Sequence, residues 1–71
     1  MKKLISGKYI TEHKGRLVMV GREGHEWLAV EARAVYFDTI PDLVKAYEPV
    51  RGGDWAYGKT RKAAIEYLFL D

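Results

Sequence analysis

The chain has 71 residues, no cysteine and a formal net charge of +2. A chain of this length holds one domain, residues 1–71, whose single core supplies only a few kcal/mol unless dense packing or a partner adds to it. Disulfides and thiolate zinc sites are excluded, and no apolar run approaches the roughly 20 residues that cross a bilayer.

After Met1-Lys2-Lys3 only Leu4-Ile5 precede Ser6-Gly7, too short an apolar stretch for a secretory leader. The expectation is a cytoplasmic protein without a membrane partner. Charge is uneven along the chain. Residues 1–24 carry six Lys/Arg against two Glu, residues 25–50 two against five Asp/Glu, and residues 51–71 four against three. That asymmetry gives a basic and an acidic region, which reads either as a mixed-charge surface or as a binding footprint.

In chain order, Leu4 to Thr11 is rich in β-formers, and His13-Lys14-Gly15-Arg16 turns into Leu17-Val18-Met19-Val20. Gly21-Arg22-Glu23-Gly24 is a second turn. From Trp27 to Phe37 the chain alternates, with Leu28, Val30, Ala32, Ala34 and Tyr36 on one face and Glu31 and Arg33 on the other. A three-stranded antiparallel meander follows from this pattern.

Thr39 and Asp42 then form a capping-box pattern, and Ile40, Leu43, Val44 and Tyr47 recur as one helical stripe that Pro49 stops. Val50 to Gly58 is a glycine-rich connection with room for a short strand at Trp55-Ala56-Tyr57. Thr60 caps a last helix with Ala64, Ile65 and Leu68 on one face. The expected fold is therefore α+β: an antiparallel sheet of three to four strands with two helices packed on one face, the Leu28–Tyr36 stripe buried against them.

Three features bear on function. Gly53-Asp54-Trp55-Ala56-Tyr57-Gly58-Lys59-Thr60 matches GxxxxGK[ST], the phosphate loop. The match lacks the buried strand before it, and too little chain follows Thr60 to supply a second metal-binding aspartate. A milder reading survives, because Lys59, Arg61 and Lys62 crowd a helix start, where the dipole disfavours cations and free N–H groups favour an anion. Next, Trp55 and Tyr57 lie between Arg51 and Lys59, a mixture that stacks and neutralises single-stranded nucleic acid. The competing reading folds both aromatics inward as core anchors. Lastly, Tyr67-Leu68-Phe69-Leu70 is apolar on every side, more than one small core covers, so Tyr67, Phe69 and Leu70 are candidate protein-interface residues.

No catalytic constellation stands out. His13 and His25 lie in turns without ligands at metal spacing, and Ser6 is not in a nucleophile elbow. Neither catalytic residues, a metal nor a cofactor is expected.

From Glu26-Trp27-Leu28-Ala29-Val30 and Ile40-Pro41-Asp42-Leu43, through Trp55-Ala56-Tyr57-Gly58-Lys59-Thr60 to Ala63-Ala64-Ile65, the chain resembles the HicB type of antitoxin. The resemblance covers about half the chain. It departs from the family at Val44-Lys45, in the longer connection to Gly58, and in the basic Lys59, Arg61 and Lys62. It implies a sheet with helices on one face that binds and neutralises a small RNA-cleaving toxin. The functional expectation is thus a non-enzymatic module that binds and restrains a partner protein, antitoxin-like or of the inhibitor type encoded by phages and plasmids, and open to homodimerisation. The alternative is a nucleic-acid-binding accessory domain that uses the basic N-terminal third and the Arg51–Lys62 loop.

Overall fold

The computed structural model describes residues 1–5, 7–38 and 43–70, with the backbone alone at 5, 37, 38 and 43–45. Six antiparallel strands and one helix follow in order: β1 (Lys2–Ile5), β2 (Lys8–His13), β3 (Arg16–Glu23), β4 (Glu26–Asp38), β5 (Leu43–Pro49), β6 (Trp55–Gly58) and α1 (Arg61–Leu68). The first five form a meander in a curled sheet, and β6 pairs with β4. The longest dimension, 41 Å, is about that of the 13-residue β4 at about 3.3 Å per residue.

This corrects the expected α+β fold with two helices on one face. The protein is mostly β, and only the second of the two expected helices is present. Where the first was expected, Leu43–Pro49 is extended and pairs with β4 from Ala32↔Pro49 to Asp38↔Leu43. Thr39, Ile40, Pro41 and Asp42, which carried the capping box, lie outside the described residues. The physical reason is non-local. The second half of β4 has an edge of backbone N–H and C=O groups that needs a partner. Leu43 to Tyr47 is short enough to satisfy a period of two as well as one of 3.6. Arg33 Nε donates to Glu48 Oε1 across that pair at 2.6 Å.

The expected three-stranded meander is corrected as well. Leu4–Thr11 is not one strand but parts of β1 and β2, with Gly7 (φ 76°) between them. Gly21-Arg22-Glu23 continue β3, so the second turn is Gly24-His25. Lys14 (φ 51°) and Gly15 (φ 77°) close the β2–β3 hairpin as a two-residue turn with both central residues left-handed, which explains the glycine. The helix start also matches: Thr60 Oγ1 accepts from Ala63 N at 3.0 Å, and Thr60 O accepts from Ala64 N.

Packing separates the two sheet faces. Val18, Val20 and Ala29 meet Ala64 and Ile65 of α1 in a fully or nearly fully buried cluster, with Trp27, Leu68 and Phe69 around it. The helix lies this close because Gly58 has no side chain. A Cβ there would sit 2.4 Å from Ala64 N and 2.8 Å from Ala64 Cα. The face under α1 therefore carries Trp27 and Ala29, whereas the stripe of Leu28, Val30, Ala32, Ala34 and Tyr36 faces the opposite way. That corrects the expectation that this stripe packs on helices.

Candidate functional site

The sheet face away from α1 is the more apolar of the two. Ile10 and Ala32 are buried in it, and Leu17, Met19, Leu28, Val30 and Ala34 are half-buried. Leu28 and Val30 stand opposite Tyr57 and Trp55 across the β4–β6 ladder, so strand alternation puts both aromatics on this face. They are not core anchors: Trp55 is 64% exposed and Tyr57 39%. Their rings meet edge-on, with centroids 5.6 Å apart. Leu28, Val30 and Pro49 separate two adjoining hollows. One, of about 360 Å³, reaches Trp55 and Tyr57, and the other, of about 240 Å³, reaches Met19 and Lys8.

Polar groups fix the rim. The Tyr57 hydroxyl donates to Glu23 Oε1 at 3.1 Å. That bond, with the negative charges of Glu23 and Glu26, pushes the phenol above its ordinary value. Backbone geometry adds a second feature. Glu31 N donates to Asp54 O, and Glu31 O accepts from Val50 N, so Glu31, Ala29 and Trp27 turn their polar backbone groups toward β5 and β6. By the alternation of an antiparallel ladder, Ala56 and Gly58 answer them, while the N–H and C=O groups of Trp55 and Tyr57 point away from β4. No described strand pairs along that outer edge of β6.

The structure divides the residues expected to bind an anion or nucleic acid. Arg51 is exposed in the β5–β6 turn, and Trp55 and Tyr57 stand on the open face. Lys59, Thr60, Arg61 and Lys62 belong to the start of α1, on the other side of the sheet. The phosphate-loop match has no loop: Trp55–Gly58 is a strand, with the N–H groups of Ala56 and Gly58 committed to β4 rather than free to cradle a phosphate. Of the expected interface residues, Tyr67 is 57% and Leu70 74% exposed. Phe69 is half-buried, its ring 4.8 Å from the His13 ring and 5.2 Å from the Arg16 guanidinium carbon.

On the α1 side the fold assembles a cluster that no local sequence pattern signals. The Arg61 guanidinium lies over the Tyr9 ring at 4.3 Å and the Trp27 ring at 5.6 Å. Arg22 lies over the same Trp27 ring at 5.5 Å. Two other arginines differ: Arg16 is paired with Glu31, and Arg33 with Glu48. Among the described residues, no three His, Asp or Glu side chains converge as a metal site, and no helix is long and apolar enough to cross a membrane.

No protein-family model, curated protein or solved structure matches the chain.

Proposed function

We propose that this chain is a non-enzymatic module that binds and restrains a partner protein, and that it holds an extended segment of that partner along β6. The reading is carried by one observation: Trp55 and Tyr57 present exposed rings beside apolar hollows while their own backbone N–H and C=O groups face an edge along which no described strand pairs. Strand addition uses both features, main-chain hydrogen bonds for affinity and pockets for alternate side chains. An uncovered apolar face also marks a contact surface more often than an idle one. The HicB-like resemblance, carried by Trp55-Ala56-Tyr57-Gly58-Lys59-Thr60 and Ala63-Ala64-Ile65, would make that partner a small toxin.

The test is capture of partners from cells of the source organism with the parent and a Leu28→Asp, Trp55→Ala variant, with folding verified by circular dichroism. The parent should retain a defined protein from 50 to 500 mM salt, because an apolar interface with main-chain bonds does not release counterions. The folded variant should lose it. Retention by the variant, or release of the protein from the parent as salt rises, contradicts the proposal.

A further inference from the structure

The arginine pair on the α1 side is a separate surface from β6, and the observations on it stand independently. Arg16 and Arg33 each have a glutamate. Arg22 and Arg61, drawn from β3 and the first turn of α1, converge on one indole, and neither has a carboxylate partner among the described residues. From this geometry we infer that Tyr9, Trp27, Arg22 and Arg61 form a binding site for the phosphodiester backbone of a nucleic acid.

The chemistry follows from how a stacked guanidinium is used. Stacking occupies its flat faces and leaves the in-plane N–H fork free to grip a phosphate bidentately. Arg22 commits only Nε, to Gly24 O at 3.2 Å, which leaves both terminal nitrogens. Arg61 makes no side-chain hydrogen bond among the described residues, so all five of its donors remain. Its position at the start of α1 works against the helix dipole, a local cost that a bound anion removes. Side chains already held against Tyr9 and Trp27 lose little further freedom on binding, which lowers the cost of capture.

Further cations extend the site along the same face. Lys3 stands opposite Tyr9 in the β1–β2 register, and exposed Lys62 follows Arg61. Glu23 and Glu26 flank Arg22 and Trp27 in sequence but fall on the opposite face by strand alternation. Four cations on one side of the protein, Lys3 and Arg22 on strands and Arg61 and Lys62 on α1, suit a polymer of repeated phosphates better than one small anion. The site carries no base-edge reader, so binding should be indifferent to sequence.

Fluorescence anisotropy with a labelled 20-nucleotide oligothymidylate, from 25 to 300 mM salt, tests the site. The proteins are the parent, an Arg22→Gln, Arg61→Gln variant, and Arg16→Gln as a control whose arginine is already paired. The parent should bind, with affinity falling steeply as salt rises. The double variant should bind at least tenfold more weakly at 50 mM salt, its slope of log affinity against log salt shallower by about 0.7 per lost phosphate contact. Arg16→Gln should match the parent in both. In a Trp55→Phe background, oligonucleotide should also change the fluorescence of Trp27. The inference is overturned if the parent ignores the oligonucleotide at 25 mM salt, if the folded double variant keeps the parent's affinity and slope, or if the parent binds only phosphatidylserine vesicles. None of these outcomes depends on Leu28 or Trp55, so the inference can fail without the protein-partner reading, and the reverse.

Discussion

One face of the sheet is covered by α1 and the other is not, yet the uncovered face is the more apolar along β4. On the α1 side of β4 stand Trp27, Ala29, Glu31, Arg33 and Val35, whereas Leu28, Val30, Ala32, Ala34 and Tyr36 stand on the far side. The covered face has small residues where the helix approaches: Ala29 and Gly58 below it, Ala64 within it. Close approach of backbones selected those positions, not hydrophobicity. The open face keeps large side chains that α1 does not cover, and Trp55 is the most exposed of them. The buried cluster and the protein-binding edge proposed for β6 therefore involve opposite faces of one sheet.

The largest effects should therefore fall under α1. Ile65→Ala should lower stability by about 2–5 kcal/mol, as a buried truncation does. Gly58→Ala should cost about 1–3 kcal/mol, because the added methyl meets helix backbone rather than a movable side chain. Chemical denaturation measures both. A loss below about 0.5 kcal/mol for the pair would erase the distinction between the faces. Trp55→Ala, on the open face, should change stability by no more than about 0.5 kcal/mol in the same assay, despite removing the largest kind of side chain. A loss of several kcal/mol would make Trp55 part of the core and leave no open face.

The smallest effect sharpens the rim. Tyr57 should ionise above the ordinary phenol value of about 10, because its hydroxyl donates to Glu23 and negative charge lies nearby. Its native value is raised, so the contribution to stability is present below pH about 10 and disappears as pH rises through that native value. Absorbance titration near 295 nm should contain a late-ionising component from Tyr57. Glu23→Gln should move it back toward the ordinary value, and an unchanged titration would remove Glu23 as the cause.

How much of this was legible depended on whether a signal was local. Gly15 at a left-handed turn specifies the β2–β3 hairpin, and the alternation from Leu28 to Tyr36 specifies β4, without reference to the rest of the chain. The break of Leu4–Thr11 at Gly7 and the run of β3 through Gly21 to Glu23 go against the local reading. Thr60 followed by Ala64, Ile65 and Leu68 specifies the last helix in the same way. Leu43 to Pro49 was not legible, since its few apolar residues fit both periods and the unpaired second half of β4 decided between them. Which way Trp55 and Tyr57 point was also hidden. It follows from Gly58 facing Ala64, a contact made only once the helix is in place. The Tyr9–Trp27–Arg22–Arg61 cluster draws on four elements, β2, β3, β4 and α1, so no window of sequence contains it.

Amide hydrogen exchange, read residue by residue with and without the captured protein, tests most directly whether β6 holds the partner. In the free chain the Ala56 and Gly58 amides should be protected by β4, while those of Trp55 and Tyr57 exchange quickly. With the partner bound, Trp55 and Tyr57 should become protected to a similar degree, without a matching change in α1. Trp55 and Tyr57 amides that stay fast in a saturated complex, with new protection confined to the α1 side, would contradict the account.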